Sequence, residues 1–183
     1  MGEYPEEADS YWGDYQFAEH LAEEEAWAYD HLAHKQGLLI PYFLGMRIIV
    51  APSGECAWVL VLEYISGPTL RSYIQSPART LANTCNVIKL SIETLTEFMA
   101  DGWCNFDAVP RNVIVTGTPE ARSTVLLNLT HTCRLRPEED FQRCVVRREL
   151  YNEIYYALED HAGELERFMQ NIGSELCSLP TIP

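Results

Sequence analysis

An aspartate and an asparagine five positions apart, Asp107 and Asn112, sit in the stretch Asn105-Phe-Asp-Ala-Val-Pro-Arg-Asn112-Val-Ile-Val115. Phosphoryl transfer can use such a pair: a carboxylate takes the proton from an acceptor hydroxyl, and an amide oxygen holds magnesium. Asp107 suits the first role and Asn112 the second. Asn105 is a second polar anchor two residues ahead of the aspartate, and Arg111 brings one positive charge into the loop.

The elements around this loop must hold it in place. A β-branched run follows it directly, so Asn112–Thr116 and Thr124–Leu129 read as a strand pair about the turn Gly117-Thr-Pro119. Before it, Ile88, Ile92, Leu95 and Met99 recur at helical spacing, which predicts a helix over Leu81–Ala100 closed by Asp101-Gly102. Further upstream, Tyr42–Val50 and Ala57–Tyr64 flank a Pro/Gly turn and read as a β-hairpin, followed by a short helix over Thr69–Ile74. Phe17, Leu21, Ala28 and Leu32 predict an N-terminal helix over Phe17–His34, stopped by Gly37. Residues 139–169 read as a long helical region and the last five residues as extended. Helix, hairpin, short helix, long helix, loop, hairpin and helix make an α+β order rather than an alternating doubly wound one.

Composition narrows the classes. The 183 residues suit one domain, with residues 1–16 as a flexible acidic leader and 17–183 as the folded unit. A net charge of −14 argues against nucleic acid or an anionic membrane as partner. No stretch reaches the roughly 20 apolar residues that span a bilayer, and no secretory signal is visible, so a cytoplasmic location is expected. The six cysteines, Cys56, Cys85, Cys104, Cys133, Cys144 and Cys177, are scattered and read as reduced, mostly buried thiols. His31 and His34 lie three apart, but no third ligand is evident and no metal site is expected. Trp58, Phe98, Trp103 and Phe106 read as core.

The order of elements and several short motifs resemble the protein-kinase-like fold, closest to the small aminoglycoside-phosphotransferase-like proteins of fungal type. Glu25-Ala-Trp-Ala-Tyr29-Asp-His-Leu32 resembles that family's helix C, with Glu25 where its ion-pairing glutamate stands. Leu62-Glu-Tyr-Ile-Ser-Gly-Pro-Thr-Leu70 resembles the hinge that meets the adenine. Asp101-Gly-Trp103 with residues 105–115 resembles the helix end and catalytic loop. Val125-Leu-Leu-Asn-Leu-Thr130 falls where the family has its magnesium-binding Asp-Phe-Gly. Over about Phe17–Leu135, the resemblance implies a reduced kinase-like fold: helix C and a hairpin, then a mostly helical lower lobe carrying the loop.

The departures concern the chemistry. In kinases a Gly-rich loop and a strand lysine precede helix C. Here the chain has two lysines, Lys35 and Lys89, and both follow Glu25. No G-x-G-x-x-G occurs, and a short leader cannot supply three strands, so the phosphate-covering part of the upper lobe is expected to be absent. Asn128 stands where a carboxylate would bridge magnesium, and an amide is the weaker ligand for a hard dication. Asn105 stands where the family usually has His.

The expected function is therefore a catalytically degenerate kinase-like protein, not a phosphotransferase and needing no cofactor. It would bind a protein partner, or a second copy of itself, through the hairpin 42–64 left exposed by the missing lobe. An alternative is a cleft that holds an apolar small molecule and steers a biosynthetic conversion such as a cyclisation. That cleft would be lined by Glu63, Tyr64, Ile65, Arg111, Asn112, Val113, Leu127 and Asn128, with Asp107 and Asn105 as its polar, catalytic anchors. A third possibility is a residual phosphotransferase that uses Asp107 and Asn112.

Overall fold

The computed structural model describes residues 18–134. The expected leader, the helical region at 139–169, the extended end, Cys144 and Cys177 lie outside the described residues.

The chain is mixed α and β, built on three helices and three two-stranded antiparallel sheets among the described residues. The first helix, α1 (Ala18–His31), runs into a 3-10 turn over Ala33–Lys35. Its buried face carries Ala22, Ala28 and Tyr29, continued by Leu32, while Leu21 is half-buried. Strands β1 (Phe43–Val50) and β2 (Cys56–Leu62) form the predicted hairpin, with Ile48 opposite Trp58 and Val50 opposite Cys56. The base of this hairpin rests on α1, where the Phe43 ring stacks on Tyr29 at 5.3 Å between centroids. Among the described residues the distal half has no such support, and Ile48, Ile49 and Val50 are exposed in succession.

Helix α2 (Leu70–Ile74) starts one residue later than expected, because Thr69 is its cap and accepts from the Ser72 amide. Helix α3 (Leu81–Ala100) has the expected bounds, capped by the Thr80 hydroxyl on the Asn83 amide. The cap side chain satisfies one of the orphan donors of the first turn. Val87, Ile88, Ile92, Leu95, Phe98 and Met99 form its buried stripe and fill the main core with Leu70, Ile74, Leu126 and Leu129. Each such side chain contributes about 1.5–3 kcal/mol on burial. A buried hydroxyl pair, Thr94 with Thr124 at 2.8 Å, ties α3 to the strand beneath it.

After α3 comes an unexpected strand, β3 (Trp103–Asn105), which pairs with β6 (Thr132–Arg134). Three-residue strands carry no readable periodicity, so this sheet leaves no trace in the sequence pattern. The second hairpin, β4 (Val113–Thr118) with β5 (Ala121–Leu126), turns later than expected, since Thr118 pairs with Ala121 across Pro119-Glu120.

Two composition-based expectations need correction. Among the four described cysteines only Cys104 is buried, while Cys56 is exposed and Cys85 and Cys133 are intermediate. Trp103 and Phe98 are core and Phe106 packs against it, but Trp58 sits half-buried on the projecting hairpin. A tryptophan on a two-stranded ribbon has only one neighbouring layer to bury against, and here that layer ends at the hairpin base.

Candidate functional site

The 105–112 loop begins at the end of β3 and closes with a 3-10 turn, Pro110–Asn112, that hands the chain to β4. Pro110 at the start of that turn costs nothing, because the first amides of a helical turn lack partners anyway. Asn105 is fully buried. Its Oδ1 accepts from the Asp107 amide at 2.8 Å and its Nδ2 donates to the Asn128 carbonyl at 2.8 Å. Asn105 therefore positions the loop and residue 128 together; it is not a surface anchor for a ligand.

The Asp107 carboxylate gathers three side-chain donors. Arg111 Nη2 reaches Oδ1 at 2.8 Å, and Asn112 Nδ2 and Asn128 Nδ2 reach Oδ2 at 2.8 and 2.9 Å. Asn112 Nδ2 also donates to the Asp107 carbonyl at 2.9 Å. The loop is thus ordered around Asp107 by side-chain amides and a guanidinium. A substrate hydroxyl that sought this carboxylate as its base would find three of its roughly four lone-pair sites taken, and would have to displace an amide to reach Oδ2. Hydrogen bonds to a charged group are the stronger kind, so that displacement is costly.

Asn128 is the one described non-glycine residue at positive φ, at 57°. Asparagine tolerates this region because its short side chain bonds locally, and its Oδ1 accepts from the Thr130 amide at 3.4 Å. The next two residues are held by α1: Glu25 accepts from the Leu129 amide at 3.1 Å and from the Thr130 hydroxyl at 3.2 Å. Glu25 stands where the resembled family has an ion-pairing glutamate, but its partners here are an amide and a hydroxyl. Folding brings it across 104 residues of chain onto the turn that presents Asn128. No sequence signal marks this role, since Glu23, Glu24 and Glu25 look alike in one dimension.

Lys35 is a second residue that sequence reasoning passed over. It is buried, donates to the Glu97 carbonyl at 3.1 Å and pairs with Asp101 at 2.8 Å. His34 meets the same carboxylate at 3.0 Å. The hydrogen bonds from Lys35 and then His34 hold the Asp101 carboxyl below its ordinary range. His31 is engaged with the Trp27 carbonyl at 2.8 Å. Among the described residues no group of three or more His, Cys, Asp or Glu side chains could hold a metal ion.

The other cleft candidates divide. Glu63, Tyr64 and Ile65 border an open cavity of about 250 Å³ together with Leu38, Ile40 and Val125. Val113 is buried in the core, and Leu127 and Asn128 lie half-buried on the Asp107 side. Arg111, Asn112, Val113, Leu127 and Asn128 do not line the cavity beside Tyr64. Gly67 decides how closely the segment after the hairpin approaches β4: its φ is +154°, and a β-carbon there would run into the Val115 carbonyl. The Val115 amide donates to the Pro68 carbonyl at 2.9 Å across this contact.

No protein-family model matches this chain, and no curated protein matches it.

Proposed function

We propose that the chain is a reduced kinase-like module without phosphotransferase activity, which binds a protein partner through the β1–β2 hairpin. One observation carries this reading. The hairpin projects an almost uncharged apolar surface in a chain of net charge −14. Ile48 is 55% exposed and Val50 69%, and Leu44, Ile49 and Val61 are exposed beside them. Ile48 and Val50 share one face of the ribbon and Ile49 and Val61 the other. Exposed apolar residues grouped in this way mark an interaction surface, and a two-stranded ribbon leaves strand edges open to pairing.

Two features support the kinase-like part of the reading. The order of α1, hairpin, α2, α3, polar loop and second hairpin follows the resemblance over the described residues. Glu25 on α1, in the position of a helix C glutamate, reaches the turn after residue 128. The absence of phosphotransfer is supported by the occupation of Asp107 by Arg111, Asn112 and Asn128. An amide already donates where a metal-binding carboxylate would be required.

Sedimentation velocity over a hundredfold range of concentration tests the reading in its simplest form, a pair of copies joined through their hairpins. Mass should rise with concentration for the native chain and stay monomeric for I48D and V50D, which put a charge on the exposed half of the ribbon. Magnesium and ATP should leave the melting temperature unchanged. A clear rise would sink the non-phosphorylating reading, because a ligand at 100 times its Kd adds roughly 2.7 kcal/mol.

A second reading is favoured by the cavity beside Glu63, Tyr64 and Ile65. Leu38, Ile40 and Val125 give it an apolar side facing the polar Glu63, Ser66, Thr116 and Ser123, which suits a small molecule with an apolar part. Stabilisation by apolar compounds that is lost in Val125→Asp would support it over the partner surface.

A further inference from the structure

A second cavity, of about 330 Å³, lies on another part of the surface and shares no residue with the Asp107 cluster or the Tyr64 cavity. It forms where α2, the start of α3 and β5 come together. Its chemistry comes from Ser72, Tyr73, Ser76, Arg79, Asn83 and Arg122, and no Asp or Glu lines it.

Both guanidiniums are held in place without a counter-charge. Arg122 lies over the Tyr73 ring, its Cζ 5.2 Å from the centroid. Arg79 donates from Nη1 to the hydroxyl of the buried Thr84 at 3.2 Å. Thr84 is itself fixed, donating to the Thr80 carbonyl at 3.1 Å. Neither arginine has a carboxylate within ion-pair distance among the described residues, whereas Arg111 does. In a chain with 27 acidic residues against 13 basic ones, two arginines on one concavity that no described Asp or Glu lines are a local reversal of sign.

That arrangement favours an anion. Two like charges facing one concave space repel, and low-dielectric walls strengthen the repulsion. A doubly charged oxyanion relieves that repulsion. Guanidinium forks match phosphate oxygens with two parallel hydrogen bonds, and hydroxyls such as that of Ser76 complete such a site. The first turn of α3 does not carry the case, because the Asn83 amide is already satisfied by Thr80. The volume lies at the small end of the range for organic ligands, and the Tyr73 ring and Pro68 give it an apolar wall.

We infer that the α2–α3–β5 cavity is a binding site for a phosphate monoester, gripped by Arg79, Arg122 and Ser76 with Tyr73 and Pro68 around its organic part. The site stands independently of the hairpin surface.

Calorimetric titration of the full chain with phenyl phosphate tests it. The expected result is one molecule bound per chain, with affinity falling roughly tenfold in R79Q and in R122Q and weakening as salt rises. N83D guards against a trivial folding defect. An aspartate in the first turn of a helix favours the helix, yet here it places a negative charge beside the ligand. N83D should therefore keep its melting temperature and lose binding. Undiminished binding in N83D or in the R79Q/R122Q double variant would overturn the site, and so would no heat at millimolar phenyl phosphate. Equal binding of sulfate, inorganic phosphate and phenyl phosphate would reduce it to a counter-ion patch and overturn it as well. The source of the ester is read from O-phosphoserine against a phosphoserine peptide. Tighter binding of the peptide assigns a protein-borne phosphate and equal binding a small metabolite; either supports the site.

Discussion

The Asn128 side-chain amide donates to the Asp107 carboxylate at 2.9 Å, while the Asn128 carbonyl accepts from Asn105. Residue 128 is therefore gripped at both ends by the loop that carries Asp107. An aspartate at 128 could not make the first of these bonds. N128D should set two carboxylates against each other and cost about 1–3 kcal/mol at neutral pH, the usual penalty for losing a partner and leaving a charge opposed. The opposed pair should hold a proton more tightly in the folded state than in the unfolded one. The variant should therefore regain stability as the pH falls from 7.5 towards 5, in urea titrations where the native chain shows no such gain. Added magnesium should also raise its melting temperature, since paired carboxylates suit a hard dication.

Glu25 makes a separate prediction. Its two bonds satisfy the amide of Leu129, a fully buried residue, and the hydroxyl of Thr130. Glu25→Ala should destabilise by about 1–3 kcal/mol by leaving that amide without an acceptor. Glu25→Gln keeps one acceptor oxygen and should fall between. Hydrogen exchange at the Leu129 amide should quicken in step. Unchanged protection there would show that the α1 contact does not hold the turn.

The Lys35–Asp101 pair predicts a pH dependence. The Asp101 carboxyl is held below its ordinary value of 3.8, first by its hydrogen bond from Lys35 and then by that from His34. A group whose folded pKa is depressed adds stability above its unfolded pKa and loses it as pH falls through the folded one. The contribution is therefore full above about pH 5 and disappears on acidification below about pH 4. Because Asp101 is half exposed, solvent screens the effect and it should be modest. Asp101→Asn should flatten that part of the stability profile, measured by urea unfolding between pH 5 and 2.5. It should also destabilise the chain at neutral pH, because among the described residues the buried Lys35 ammonium then keeps the Glu97 carbonyl alone.

Tyr29 is expected to behave in the opposite sense. Its ring is fully buried and stacked on Phe43, yet its hydroxyl has no hydrogen-bond partner among the described residues. Burial, with the charge of Glu25 nearby, pushes its ionisation far above the usual tyrosine range. A buried hydroxyl without a partner costs about 1–3 kcal/mol. Tyr29→Phe keeps the stack and should leave stability unchanged or raise it by about 1 kcal/mol in chemical denaturation. A loss of more than that would mean the hydroxyl has found a partner.

Much of the scaffold was legible residue by residue. The repeat of Ile88, Ile92, Leu95 and Met99 marked α3, and the Ala51-Pro-Ser-Gly-Glu55 turn marked the first hairpin. The second hairpin was legible as a pair but its turn was displaced, because Gly117 drew the break towards itself while Gly117 in fact pairs with Arg122. The β3–β6 sheet was not legible, being too short for its alternation to register. Of the candidate site, the loop containing Asp107 and Asn112 was found, but the roles of Asn105 and Glu25 were misjudged. Arg79 and Arg122 drew no notice, because 43 residues separate them and nothing local links them.

The sequence by itself determined the three helices and the two hairpins, and that Asp107, Arg111 and Asn112 would share one loop. Each of these follows from neighbours a few positions apart, where side-chain periodicity, caps and turn residues act. Tertiary structure alone decided that Asn128 would close on Asp107, that Glu25 would reach Leu129 and that Lys35 would meet Asp101. It also decided that the far half of the first hairpin would remain uncovered. Such pairings depend on how loops of tens of residues close and on which apolar faces find cover, and no local pattern encodes either.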